Sequence, residues 1–276
     1  MKNTYLIIQN SRGQFNKGVE LQKNFMNNAL KDANVNNKIK LDICSAQIFK
    51  NCITGSYETY KKSFKLIDKQ KHTIFFGGDH LSSFGPILAS LKKYGKNFRL
   101  IWIDAHTDIH SFETSPSKNM HGMIVRFLLE HNYKDIPRLS FEQILYIGIR
   151  SVENEEWNYI YKNNIQFIKM SDMKTIKDKE IYYKKINNFI NGYPVHVSLD
   201  VDSLDPTYMY STGTVEDNGI SLDNLYDIFN FIKNNSKKYY ATDIMEYNPT
   251  IGNSKEQKIS YNTFISLIEY ITNLFF

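Results

Sequence analysis

The length, composition and charge of the chain limit what kind of protein it can be. Its 276 residues suffice for a large α/β domain, and the hydrophobic fraction of 42% and charged fraction of 23% are ordinary for soluble globular proteins. The net charge of +5 comes from lysines scattered along the chain, which argues against a nucleic-acid-binding protein. No apolar run reaches the roughly 18 residues of a membrane span.

The two cysteines indicate a reducing compartment. Cys44 and Cys52 are too few for a disulfide framework, and their spacing is not that of a metal site. Reduced thiols of this kind are typical of cytosolic proteins. The apolar run between Met1 and Gln9 is shorter than that of a signal peptide and instead predicts a first β-strand. We therefore expect a cytoplasmic protein.

Short β-branched and aromatic runs alternate with longer amphipathic segments, such as residues 57–67, 222–232 and 264–271, which are predicted helices. This alternation predicts βαβ units and a parallel sheet. No linker rich in proline, glycine or serine interrupts it, so we expect one domain covering residues 1–276. The predicted strands lie near Thr4–Gln9, Lys40–Cys44, Thr73–Phe76, Arg99–Ile103, Ile144–Ile149, Gln166–Lys169, Val195–Leu199 and Tyr239–Ile244.

Polar segments follow four of these strands. They are Gly77–His80, Asp104–Asp108, Asp200–Pro206 and Glu246–Pro249. The strand pattern does not separate an open doubly wound sheet from a closed eight-stranded barrel, but both folds bind ligands at the carboxyl ends of their strands. We therefore expect these carboxylates and imidazoles to meet in one crevice.

Such a crevice requires cations. Like charges a few ångströms apart cannot all stay ionised without compensation. Oxygen and imidazole ligands without thiolate suit manganese, with iron, cobalt, nickel or zinc as alternatives. Two ions about 3.5–4 Å apart would need bridging carboxylates, and a water between them becomes a nucleophile. Each segment alone also fits a turn or a solvated acidic loop, so the prediction of a two-metal site rests on their combination.

These segments resemble the signatures of the arginase/agmatinase ureohydrolase family. Gly-Gly-Asp-His, Asp-Ala-His-x-Asp and Ser-x-Asp-x-Asp-x-x-Asp-Pro stand here at Gly77–His80, Asp104–Asp108 and Ser198–Pro206. The likeness extends from Lys17–Glu20 to Glu246–Pro249. It implies an α/β fold of three α/β/α layers with an open, mainly parallel eight-stranded sheet.

The resemblance also implies a metal centre and a reaction. One ion would be held by His80, Asp104, Asp108 and Asp200, and the other by Asp104, His106, Asp200 and Asp202, so that Asp104 and Asp200 are shared. The implied reaction is attack of metal-bound hydroxide on a guanidinium carbon, with release of urea. The implied catalytic residues are Asp108, His121, which matches the family's proton-shuttling histidine, and Glu246, which pairs with the guanidinium. For His121 the alternative is a core histidine of the following helix.

Two further segments resemble the parts of arginases that hold the amino-acid end of L-arginine. Glu113–Gly122 matches the loop at the α-carboxylate, and Gly148–Glu156 matches the segment at the α-ammonium, although Glu153 stands where arginases usually carry Asp. The implied substrate contacts are His110, Ser115, Ser117, Asn119, Glu153, Glu156, Thr214 and Glu246.

Two positions depart from the family's pattern. His110 stands where arginases generally have Asn, and Lys118 replaces a common Gly, which tolerates a positive φ that lysine disfavours. Our hypothesis is that His110 and Lys118 preserve an electropositive pocket for a carboxylate while altering affinity.

The expected function is hydrolysis of L-arginine to L-ornithine and urea by an arginase-type amidinohydrolase with two Mn²⁺ ions. The alternatives are an agmatinase or another guanidino-substrate ureohydrolase, and a catalytically silent relative that binds a partner or metabolite. Agmatine lacks the carboxylate, so it would not use the Glu113–Gly122 loop, and the complete set of six ligands argues against a silent protein. The expected partners are a small guanidino substrate and further copies of the chain in a trimer or hexamer, without nucleic acid or membrane.

Overall fold

A computed structural model of the chain describes most of its residues. Of the N-terminal segment included in the family likeness, Gly18 is described, whereas Lys17, Val19 and Glu20 lie outside the described residues. The organisation of residues 1–276 as one domain stays a prediction. The described residues are 3–9, 11, 13, 18, 23–35, 39–44, 52–69 and 72–275.

A parallel sheet forms the centre of the described part of the chain. Its strands are β1 (Asn3–Ile8), β2 (Ile39–Cys44), β3 (Thr73–Gly77), β4 (Arg99–Ile103), β5 (Ile144–Ile149), β6 (Gln166–Lys169), β7 (Pro194–Asp200) and β8 (Lys238–Met245). Their spatial order is β2-β1-β3-β8-β7-β4-β5-β6, and every pairing between them is parallel. Since β2 and β6 are edges, the sheet is open, and the barrel is excluded.

The central strands are apolar along their whole length because both faces of the sheet are covered. Every residue of β3 and of β5 is buried. Successive side chains of a strand point to opposite faces. On β4, Ile101 and Ile103 accordingly join one hydrophobic cluster, whereas Leu100 and Trp102 join the other.

Two layers of helices cover the sheet. Within the described residues they are α1 (Lys23–Asp32), α2 (Cys52–Lys69), α3 (Phe84–Tyr94), α4 (Ile124–Glu130), α5 (Asn154–Lys162), α6 (Ile176–Ile190), α7 (Leu222–Asn235) and α8 (Ser254–Phe275). Apolar residues of α1, α6, α7 and α8 share the cluster of Ile101, and those of α2, α3, α4 and α5 share the cluster of Trp102. The predicted three-layer α/β/α fold is therefore confirmed.

The helices differ from those that cross a bilayer. None of those in the described ranges combines the length and the apolarity that a membrane-spanning helix requires.

Phe264 of α8 provides a test of how the core is packed. It is fully buried, stacks on Tyr247 with ring centroids 4.3 Å apart, and lies 6.0 Å from Phe76 of β3. Phe264→Ala should lower the free energy of unfolding by about 3–5 kcal/mol, because a cavity replaces these contacts. Urea denaturation followed by circular dichroism measures the change. Ile176→Ala, at a side chain that is 85% exposed, should change it by less than about 0.5 kcal/mol. Equal losses for the two variants would contradict this packing.

Candidate active site

Neighbouring strands bring the predicted site residues to one edge of the sheet. His80 follows β3, Glu246 follows β8, Asp200 ends β7, Asp104 follows β4, and Glu153 lies just beyond β5. These five strands are adjacent in the order β3-β8-β7-β4-β5. Because they are parallel, their carboxyl ends meet on one side, where open α/β sheets bind ligands.

His80 faces three carboxylates. Its Nδ1 atom lies 3.0 Å from Asp200 Oδ2, 3.2 Å from Asp104 Oδ2 and 3.4 Å from Asp108 Oδ2. One donor atom each of His80, Asp104 and Asp200 could hold a single metal ion. This group contains three of the four residues predicted for the first ion, and Asp108 lies beside it.

His106 faces a second group of carboxylates. Its Nδ1 atom lies 3.0 Å from Asp202 Oδ2 and 3.5 Å from Asp104 Oδ1, and these three residues could hold another ion. Asp104 belongs to both groups through its two oxygens, which suits its predicted role as a bridge. Asp200 Oδ1 instead accepts a hydrogen bond from the Asp202 backbone at 2.9 Å, so a second bridge through Asp200 stays a prediction.

The His80 ring is fixed from behind. It stacks on Trp102 with centroids 4.0 Å apart and planes 9° apart, and its Nε2 atom lies 3.0 Å from Ser198 Oγ. The Trp102 indole donates a hydrogen bond of 2.9 Å to Asp104 Oδ2. These contacts leave Nδ1 of His80 facing the carboxylates. No role for Trp102 was predicted from the sequence, and Ser198 entered only as the first residue of a signature. Each precedes a predicted aspartate ligand by two residues, the period that places side chains on one face of a strand.

The carboxylates are costly to keep ionised together. Burial, with the charges of Asp202 and Asp104, raises the pKa of Asp200 well above its usual range. Burial and the charge of Asp104 also raise the pKa values of Asp108 and Asp202. Burial opposes the ionisation of Asp104 as well, but hydrogen bonds from the two imidazoles hold its pKa below the ordinary value. Divalent cations would relieve this repulsion, and the oxygen and nitrogen donors fit them.

His121 and Glu246 lie beside the first group. His121 Nδ1 is 3.1 Å from Glu246 Oε1, and the same oxygen accepts the His80 backbone N–H at 2.8 Å. Burial alone would lower the pKa of His121, but the hydrogen bond and charge of Glu246, with the charge of Asp108, raise it to about 9. His121 lines a cavity and is not a core histidine.

The cavity has a volume of about 300 Å³ and opens over the predicted metal ligands. Asn119 does not line it; its backbone N–H donates to Ser117 Oγ at 3.2 Å, and its contact with a substrate stays a prediction. The predicted substrate contacts that do line the cavity are His110, Ser115, Ser117, Glu153, Glu156, Thr214 and Glu246.

The contacts of His110 and Lys118 do not match those expected for an electropositive carboxylate pocket. His110 Nε2 lies 3.6 Å from both Glu153 Oε2 and Glu156 Oε2, so the imidazole faces two protein carboxylates. Lys118 has the positive φ of 58° that a glycine would favour, and its Nζ atom donates to the Phe112 carbonyl at 2.6 Å. The loop therefore tolerates lysine, but the ammonium group is directed to the backbone, and this geometry does not support the hypothesis.

Comparison with known proteins agrees with this geometry. A family model described as the arginase family matches residues 7–270. The chain belongs to the arginase family. An arginase from Plasmodium berghei (strain Anka) is 34% identical over 228 residues, which cover 77% of this chain and 62% of that protein. The chain thus spans less than two thirds of the length of that relative.

Relatives from Entamoeba histolytica match over nearly their full length. The arginase of strain ATCC 30459 is 30% identical over 273 residues, which cover 91% of this chain and 92% of that protein. The crystal structure of Entamoeba histolytica arginase in complex with L-ornithine superposes with a TM-score of 0.82 at 26% identity, covering 100% of this chain and 99% of that chain. The arginase-like fold implied by the sequence motifs is therefore confirmed.

Glu216 is a cavity residue of this arginase-family chain that the sequence analysis missed. Its Oε1 atom lies 3.6 Å from His106 Nε2. It stands two residues after the predicted contact Thr214, in a segment without regular secondary structure. The sequence therefore offers no strand or helix period from which the direction of the Glu216 side chain could be predicted.

Metal removal tests the ionic argument directly. Ions that bind the folded site and not the unfolded chain should stabilise the protein by about 2.7 kcal/mol at a free concentration of 100 times Kd. We therefore expect the melting temperature of chelator-treated protein to rise when manganese is added back, as measured by scanning calorimetry. Asp104→Asn, which alters the carboxylate shared by both groups, should lose most of this response. The same melting temperature with and without manganese would show that the acidic cluster is not a metal site.

Proposed function

We propose that the chain hydrolyses the guanidinium group of L-arginine to give L-ornithine and urea. The observation that carries this proposal is the arrangement of two histidine–carboxylate groups, joined through Asp104, beside a cavity whose lining also includes Glu153 and Glu156. The histidine–carboxylate groups suit attack on a guanidinium, and the two glutamates suit an ammonium. A related arginase was crystallised with L-ornithine, which supports a substrate of this class.

The cofactors of this proposal are two Mn²⁺ ions, with iron, cobalt, nickel or zinc as alternatives. When bound, such ions lower the pKa of a water so that it can attack a carbon near neutral pH. The donors for the first ion are His80, Asp104, Asp108 and Asp200, and those for the second are Asp104, His106, Asp200 and Asp202.

Glu246 is proposed to hold the guanidinium. Its carboxylate lines the cavity and is fixed by the backbone N–H of His80 at 2.8 Å. Carboxylate–guanidinium pairs combine charge with directed hydrogen bonds, which would orient the carbon for attack. Thr214 lines the same cavity and offers a further polar contact.

His121 is proposed to move the proton. The hydrogen bond to Glu246 favours the protonated imidazole, which can give a proton to the departing amine. Glu246 Oε1, 3.1 Å from His121 Nδ1, supplies the negative charge that keeps that proton in place.

The part of the cavity lined by Glu153 and Glu156 is proposed to hold the amino-acid part of the substrate. Glu156 accepts hydrogen bonds from the Thr107 hydroxyl at 2.5 Å and from the Glu153 backbone N–H at 2.9 Å, which fix it in the first turn of α5. Glu153 is the N-cap of this helix, and both acids line the cavity. These acceptors suit the α-ammonium, while the hydroxyls of Ser115 and Ser117 can donate to the α-carboxylate.

A homotrimer or homohexamer and a cytoplasmic location also remain part of this proposal. They rest on the resemblance to arginases and on the reduced thiols expected from the sequence.

Urea release with manganese separates the candidate substrates. The rate constant kcat/KM for L-arginine should exceed that for agmatine by about 10- to 100-fold, because agmatine lacks the carboxylate and its charge-assisted hydrogen bonds. Ser117→Ala should lower kcat/KM for L-arginine and leave that for agmatine unchanged. Faster hydrolysis of agmatine or guanidinobutyrate would show that L-arginine is not the preferred substrate. No urea from any of the three, with metal bound, would indicate a catalytically silent protein.

The His121 variant tests the proton transfer. His121→Asn should lower kcat by about 100-fold or more and change KM little, because general acid catalysis acts in the transition state. Steady-state urea assays with L-arginine measure both constants. His131→Asn, at a half-buried histidine outside the cavity, serves as the control and should retain full activity. Retention of kcat by the His121 variant would exclude the proposed role.

A further inference from the structure

The two histidines of the proposed metal centre are held differently. The His80 side chain is fully buried and is fixed by Trp102 and Ser198. The side chain of His106 is 23% exposed. Its Nδ1 atom faces Asp104 and Asp202, so the orientation of the ring depends on what meets its other nitrogen, Nε2.

Glu216 occupies the place beside Nε2. Its Oε1 atom lies 3.6 Å from this nitrogen, on the side of the ring opposite the two aspartates. Glu216 and Ser151 both line the cavity. Glu216 is therefore part of the cavity wall, with its carboxylate beside His106.

Arg150 fixes the backbone on which Glu216 stands. Its Nη2 atom donates to the carbonyl oxygens of Glu216 and Asp202, both at 2.8 Å, and its Nε atom donates to that of Asp217 at 2.9 Å. The guanidinium is planar and its donors keep a fixed geometry. One side chain thus sets the position of Glu216 relative to Asp202, the aspartate that faces His106.

We propose that Glu216 is a positioning residue for the second metal position, the one formed by Asp104, His106 and Asp202. This inference rests on the proposed metal centre. A histidine that coordinates through Nδ1 carries its proton on Nε2, and a carboxylate beside Nε2 stabilises that tautomer and the ring orientation. At the first metal position, Ser198 Oγ takes the place beside Nε2 of His80. That position therefore does not depend on Glu216.

The test is a calorimetric titration of chelator-treated full-length protein with manganese chloride, without substrate. Wild type should bind two ions. Glu216→Ala should weaken one of them by about 10- to 100-fold and leave the other unchanged. Glu216→Gln should weaken the same ion less than Glu216→Ala does, because its amide oxygen still accepts a hydrogen bond from Nε2 but carries no charge. Asp217→Asn, at the exposed neighbouring side chain, is the matched control and should bind both ions as wild type does.

A kinetic measurement complements the titration. In the Glu216→Ala variant, kcat for L-arginine should recover as manganese approaches saturation, with KM unchanged, since Glu216 acts through His106 and not on the substrate. If Glu216→Ala bound two ions with wild-type affinity, or bound both ions equally more weakly, this inference would be overturned. The proposed metal centre would stand in either case. Wild-type protein that binds no manganese would instead overturn the proposed metal centre, and with it this inference.

Discussion

The site depends on one buried carboxylate that is shared between two imidazoles. Asp104 directs Oδ2 toward His80 at 3.2 Å and Oδ1 toward His106 at 3.5 Å, and it is excluded from solvent. An ionised carboxylate is tolerated in such a place only when donors or cations compensate it. The imidazoles and the Trp102 indole do so within the protein. The ends of β3 and β4, which are separated in the sheet by β8 and β7, must therefore keep their relative positions for Asp104 to remain charged.

The strands and the predicted ligands could be found from the sequence because both follow from regular geometry. Buried parallel strands are short apolar runs, and their carboxyl ends share one edge, so strand pattern alone was enough to place His80, Asp104 and Asp200 together. The contacts of His110 and Glu216 could not be found in this way, because irregular loops take their shape from neighbouring loops that are distant in sequence. A family resemblance predicts where a residue stands in a motif. It does not predict which way the side chain points when the family's usual residue has been replaced.

Backbone strain is concentrated around the cavity. Among the described residues, most non-glycine positions with positive φ are asparagines, which tolerate it. The exceptions are Asp108, Lys118 and Glu246, with φ of 47°, 58° and 66°. A left-handed backbone costs on the order of 1–3 kcal/mol at such residues and persists only where the surroundings enforce it. The hydrogen bonds around Glu246 and Lys118 thus hold the backbone around the cavity in a shape that the isolated segments would not adopt.

The strand order has a consequence for how the sheet forms during synthesis of the chain. β8, the last of the described strands in sequence, lies between β3 and β7, in the middle of the sheet, and Glu246 follows it directly. A growing chain can pair β1 with β3 and β4 with β7, but these two halves have no common neighbour until β8 inserts between them. Pairing between such distant segments is intrinsically slow. The imidazoles of His80 and His106 therefore come to face one shared aspartate only after β8 has been made, so a chain translated no further than β7 does not carry the assembled site.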